Sequence, residues 1–325
     1  MIEGEPMTLL TSQDAAALVD LLCIRDKDGR PALRIGLLAT MFLAESWTRP
    51  AREAVTEAAE SYLRTFQPFL KWAKHPRTAH IHAIDKGKVP FPRDWLPQHE
   101  DGKAWEFGFH GGETSEAASE FQVNAFGSDS NKRDKVGFFQ IYLPLTWFAE
   151  QPGIFQDFVL SFAKRLRPLS GYAGIGVLES LDIYAQEPFQ ATVKQIADRF
   201  PGLEMDNPAV SSLHTGKGIK GVNWLTILGD HWVQEIGGLD YLRVRLGEDF
   251  KLTPYEGGLM IQAGPKPQIG DAAANLWPSH YVTLAKVLKP IQIKDHYPFH
   301  FGDSRGPARM DHEASKAWIF RFDGK

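Results

Sequence analysis

Apolar and polar positions along the chain change their period several times, and each change marks an element. Residues 13–24 alternate at helical spacing. A charged turn from Asp26 to Pro31 follows. The dense apolar run at residues 33–43 then reads as a buried strand. Thr48-Arg49-Pro50 is a helix start, with proline near the first helical position. From there to about Trp72, Val55, Ala58, Ala59, Tyr62, Leu63, Phe66, Phe69 and Leu70 recur every three or four residues, the apolar stripe of a long helix. Residues 79–84 alternate as a strand does. Residues 85–105, broken by Pro90, Pro92 and Pro97, read as a long surface loop, because proline removes ladder donors. Residues 105–109 and 120–126 read as short strands.

Residues 136–143 form the next strand. A helix opened by Pro152 runs to about Leu166, with Phe155, Phe158, Val159 and Phe162 on one face, and a glycine-rich strand spans 172–178. Strand, proline-started helix and strand thus occur twice, and Gly36 and Gly137 sit at similar places in the two first strands. Two similar β-α-β units, about 25–130 and 131–300, are one reading. Coincidence is the other, since the unit is common. Further on, residues 189–200, 224–236 and 278–288 read as helices and residues 241–246 and 257–263 as strands. The apolar tail Trp318-Ile319-Phe320-Arg321-Phe322 is expected to dock on the body. The sum is an α+β fold, mixed or antiparallel sheets flanked by amphipathic helices, over a single compact domain spanning 1–325.

Composition narrows the function classes. A chain of 325 residues, 43% hydrophobic and 23% charged, closes a core without disulfide or metal. A formal charge of −4 argues against direct nucleic-acid binding, which needs a basic stripe. The single cysteine, Cys23, excludes an internal disulfide and a thiolate metal cluster, and its apolar neighbours make it a small buried hydrophobe. Residues 1–7 lack a basic leader region, and no apolar stretch has the length of a membrane span. The expected location is the cytoplasm, with no membrane contact.

Candidate chemistry is sparse. His80 and His82 face one side of a strand, with Asp85 close behind, an arrangement a metal site or a metal-dependent hydrolase could use. Two surface histidines are the plainer reading, and no third ligand is evident. Ser211 and Ser212 near His214 offer a Ser/His pair on weak sequence grounds. Gly171 to Gly176 spells neither a phosphate loop nor a dinucleotide fingerprint. No catalytic, cofactor or metal residue is therefore assigned, and the protein is expected not to be an enzyme. One segment stands out. Glu100, Asp101, Glu106, Glu113, Glu116 and Glu120 face a single Lys103, six acids minus one base, or −5 against −4 for the whole chain. Trp105, Phe107 and Phe109 are interleaved. A solvated acidic loop is one reading; a patch for a basic protein partner, with Trp105 as an anchor, is the other.

Several motifs together resemble the family of type VI secretion immunity proteins named for protection against VRR-NUC nuclease effectors. They are the run from Gly221-Val222-Asn223-Trp224 to Gly229, Ile236-Gly237-Gly238, the run from Gly258-Leu259-Met260-Ile261 to Gly270-Asp271, Ser170-Gly171-Tyr172-Ala173-Gly174, and the terminal Trp318 to Phe322. The resemblance runs from about Leu33 to the tail. It implies a non-catalytic cytoplasmic protein that binds and silences a cognate toxin, a nuclease domain with a basic surface, and protects the producing cell and its kin. It is compatible with a homodimer. A structural subunit of a secretion machine is a further alternative. The motifs are fold-forming glycines and core residues, so the resemblance identifies what is bound and not where. The acidic segment is the candidate contact surface.

Overall fold

Every residue of a strand faces one side or the other, so a strand that is apolar throughout must be covered on both sides. Residues 33–43 are such a run, and they form the centre of the molecule. The computed structural model describes residues 12–87, 89–132, 135–150, 153–300 and 309–325. Its strands are β1 (Ile24–Arg25), β2 (Pro31–Leu43), β3 (Trp72–Lys74), β4 (Ile81–Ala83), β5 (Trp105–His110), β6 (Gln122–Gly127), β7 (Gly137–Leu143), β8 (Ser170–Glu179), β9 (Leu225–Gly229), β10 (Phe250–Tyr255) and β11 (Gly258–Ala263). They make one eleven-stranded antiparallel sheet in the order β10-β11-β9-β8-β2-β7-β6-β5-β3-β4, with β1 paired to the start of β2. Strand β2 lies between β7 and β8, so the two β-α-β segments share one sheet.

One face of the sheet carries the main core. Leu33, Ile35, Leu37, Ala39, Met41 and Leu43 of β2 point into it. The helix Arg49–Phe66 lays Val55, Ala58, Ala59, Tyr62, Leu63 and Phe66 over them, and the helix Ile154–Leu166 packs alongside with Phe155, Val159 and Phe162. The Tyr62 hydroxyl donates to the Tyr142 carbonyl at 2.8 Å, which satisfies a buried polar group. Gly36 of β2 sits opposite Gly176 of β8. A Cβ at Gly36 would lie 2.5 Å from Leu178 Cδ1 and 2.9 Å from the Leu143 carbonyl, so only glycine lets these strands approach.

Several expectations change. Residues 224–236 are not one helix: β9 occupies Leu225–Gly229 and a short helix Asp230–Glu235 follows. All five β9 residues are buried, and a short, wholly buried run has no period that separates strand from helix. Residues 241–246 are helical, within Gly238–Leu246, and β10 was not anticipated. Residues 85–105 hold the short helices Pro92–Trp95 and Leu96–Gln98. They bury Leu96, while Phe91 stacks on Phe109, so the segment is a packed strap rather than a loose loop. Cys23 is half-buried. Pro152, expected to open the second long helix, lies outside the described residues. The tail docks as expected, with Trp318, Ile319 and Phe322 buried. No described helix is long and apolar enough to cross a membrane.

Candidate functional site

The second sheet face is where polar side chains collect. Register places Lys74, Gly108, Asn124, Gln140, Thr40, Tyr172 and Thr226 side by side across seven strands. At the centre of this row lies a buried ionic network. Asp206 accepts hydrogen bonds from Thr40, from the Tyr172 hydroxyl and from Gln140 Nε2, the last at 2.8 Å. Lys220 Nζ reaches Glu204 Oε1 at 2.9 Å, the Met205 carbonyl at 2.8 Å and Asp206 Oδ1 at 3.1 Å. The side chains of Lys220 and Asp206 are 2% and 0% exposed, so the pair is held away from solvent and relies on protein partners. The ammonium also lies over the rings of Tyr172, Phe299 and Trp318, at 4.6, 4.9 and 5.3 Å. One lysine thereby ties the sheet to the C-terminal helix His312–Ile319. Burial and the neighbouring Asp206 push the Tyr172 phenol well up, so it stays a donor.

Beside this network the sheet face opens into a cleft of about 250 Å³. Gln122, Asn124, Gln140 and Tyr142 line it from the sheet, with Glu179 and Asn207 also on its walls. Among the described residues, three buried acceptor atoms there have no hydrogen-bond partner: Gln122 Oε1, Asn124 Oδ1 and Glu179 Oε1. Such atoms cost free energy unless something completes them. Burial, reinforced by Asp206, raises the Glu179 carboxyl to about 8. His300 Nε2 stands 3.7 Å away, and burial lowers that imidazole to about 4, so both groups are predominantly neutral at pH 7. At the outer wall Lys74 pairs with Glu106 at 2.8 Å.

The acidic segment is dispersed. Glu100 and Glu116 are exposed. Asp101 reaches the buried guanidinium of Arg52 at 2.7 Å. Glu113 and Glu120 flank Arg34 at 3.9 and 3.2 Å, and Glu106 lines the cleft. Trp105 is 3% exposed, with its indole N–H bonded to the Ser46 carbonyl, so its ring is core and not a surface anchor. Phe107 and Phe109 are buried beside it, as the period of two in β5 requires.

The histidine and serine candidates separate as well. His80 and His82 have ring centroids 6.5 Å apart at the β4 edge, and His75 is 6.3 Å from His82. Among the described residues, no group of three or more His, Cys, Asp or Glu side chains is placed to hold a metal ion. Ser211 meets His296, not His214: Ser211 Oγ lies 3.0 Å from His296 Nε2, and His296 Nδ1 is 2.6 Å from the Tyr297 carbonyl. That carbonyl accepts, so Nδ1 carries the proton and Nε2 accepts from the serine. Both residues are fully buried, so the pair pins the loop before the C-terminal helix rather than meeting a substrate. The cleft escaped sequence reasoning. Its signal was present: Gln122 and Asn124 alternate with buried apolar Val123 and Ala125, which marks a polar face on β6.

A family model described as type VI immunity for VRR-NUC (TsiV) matches residues 54–322. Among solved structures, the chain is similar to the Pseudomonas aeruginosa T6SS protein PA0821, with a TM-score of 0.84 and 25% sequence identity over 92% of this chain and 86% of that one. No curated protein matches.

Proposed function

This chain belongs to the family of type VI immunity for VRR-NUC, and on that premise we propose that it binds a cognate nuclease effector in the cytoplasm and silences it, without catalysis of its own. The observation that carries this reading is the family match across residues 54–322, joined by similarity over nearly the whole chain to a type VI secretion protein. The physical argument agrees. A nuclease must attract a polyanion, so the surface around its active site is basic. An inhibitor that covers such a surface gains association rate and specificity from acidic groups. Glu100 and Glu116 stand exposed, with Asp101, Glu113 and Glu120 nearby in the chain.

Co-expression with a cognate nuclease effector tests the reading. Rescue from toxicity and a co-purifying complex support it. Undiminished toxicity with both proteins soluble, and no complex, refutes it.

A further inference from the structure

We infer that the β3–β4 hairpin is a sequence-independent foothold for the phosphate backbone of double-stranded DNA. The inference stands apart from the immunity reading, because it needs no effector.

Positive charge is concentrated there. Residues 71–88 hold Lys71, Lys74, Arg77, Lys86 and Lys88 against Asp85 alone, five bases minus one acid, or +4 in a chain of −4. His75 and His80 each lie beside His82, with ring centroids 6.3 and 6.5 Å away. Lys88 lies outside the described residues. Lys74 is held by Glu106 at 2.8 Å. Lys71, Arg77 and Lys86 are exposed, and no carboxylate among the described residues pairs with them. The whole-chain charge hides this local excess, and the expectation against nucleic acid rests on that average. At physiological salt a charge is felt over about 8 Å, so a phosphate at the hairpin meets its cations and not the distant acids.

The geometry suits a polyanion better than a protein surface. Strand β4 is the last of the sheet. The His75 N–H donates to the His80 carbonyl at 2.8 Å, and the Ile84 N–H to the Lys71 carbonyl at 2.9 Å. Residues 80, 82 and 84 therefore bond inward, and the alternation of an antiparallel ladder turns the N–H groups of Ile81 and Ala83 outward. Phosphate oxygens accept from such edge N–H groups and from lysine, arginine and imidazole donors. The hairpin is firmly built. The Ala79 N–H donates to the His75 carbonyl at 2.9 Å, and the Trp72 indole N–H donates to the Gly112 carbonyl at 3.0 Å. The exposed residues of the turn are Arg77, Thr78, Ala79 and His80. None is a large apolar side chain, so the turn lacks the anchor on which a protein interface is built. The major groove of B-form DNA admits a two-stranded ribbon, whereas that of duplex RNA is too narrow. Three free cations make a weak foothold, with Kd about 10⁻⁴–10⁻⁶ M. On the immunity reading, it keeps the chain on a polymer that a nuclease attacks.

The test is fluorescence anisotropy of a short labelled DNA duplex titrated with the full chain, between about 50 and 200 mM salt. The expected result is saturable binding with a log–log salt slope of about −3, near −0.9 for each of three phosphates neutralised. The triple variant K71Q/R77Q/K86Q, first shown to melt as the wild type does, should bind at least about tenfold more weakly. R77Q alone should reduce the slope by about one. R243Q/R245Q removes two exposed cations elsewhere on the surface and should bind as the wild type does. Absence of saturable binding at about 50 mM salt overturns the proposal, as does wild-type affinity in the triple variant. Equal weakening in R243Q/R245Q reduces the effect to net charge and overturns it too. Polyglutamate or duplex RNA of matched length binding as tightly as the DNA gives the surface to another partner and likewise overturns it. None of these results touches effector binding, so the immunity reading stands or falls separately.

Discussion

Glu179→Gln should make the protein more stable, by an amount that grows with pH. The unfolded carboxyl titrates near its ordinary 4.5, whereas burial and Asp206 raise the folded one to about 8. Below pH 4.5 both states hold the proton and the residue contributes nothing to pH dependence. Between the two values the unfolded chain ionises while the folded chain keeps its proton. Folding therefore becomes costlier as pH rises, until the cost levels off above pH 8. Each unit of separation is worth about 1.4 kcal/mol, so the cost is about 3 kcal/mol at pH 7 and on the order of 5 kcal/mol above pH 8. Glutamine keeps the shape and cannot ionise, so it removes that cost. Urea unfolding followed by tryptophan fluorescence at pH 5, 7 and 8.5 reads the difference directly. The variant should gain roughly under 1 kcal/mol at pH 5 and several times that at pH 8.5. An equal gain at all three values, or a loss, would refute the reasoning and place the Glu179 carboxyl in contact with water or a cation.

Other outcomes follow from the packing. Lys220→Met removes the ammonium that Glu204 and Asp206 share in the core, and should cost about 3–5 kcal/mol in thermal or urea unfolding. It should also speed proteolysis of the C-terminal helix whose Trp318 lies over the ammonium; a change within experimental scatter would contradict the network. Gly127→Ala puts a Cβ 2.1 Å from the Trp105 ring, so the indole must shift. That overpacking should cost about 1–3 kcal/mol and alter tryptophan emission, which an unchanged melt and spectrum would disprove. Reversing Glu113, Glu116 and Glu120 to lysine should weaken effector binding most at low salt and flatten its salt dependence, read by affinity at two ionic strengths. Unchanged affinity removes the acidic segment from the interface.

Where period and burial agreed, the sequence was readable. Residues 33–43 are a central strand because nothing polar interrupts them except Arg34 and Thr40, and the long helix after Thr48 repeats its apolar stripe for five turns. Residues 225–229 misled because a five-residue strand buried on both faces carries no alternation. Residues 241–246 misled because their aromatic and branched residues favour strands locally, while Gly237 and Gly238, both at positive φ, start a helix there. Composition alone hides the layout of the acidic segment. Read with a period of two, Trp105, Phe107 and Phe109 fall on the core face and Glu106 on the opposite one. The cleft was beyond sequence reading for another reason. Glu179 lies 57 positions from Gln122, and only the strand order brings them to one cleft.

The most direct test of the central claim is a stoichiometric binding measurement between the purified chain and the nuclease domain of a cognate effector, with nuclease activity followed in the same titration. The account predicts a saturable complex whose formation abolishes DNA cleavage, with no metal or substrate turnover by this chain. Full nuclease activity at saturating concentrations of the chain would contradict it.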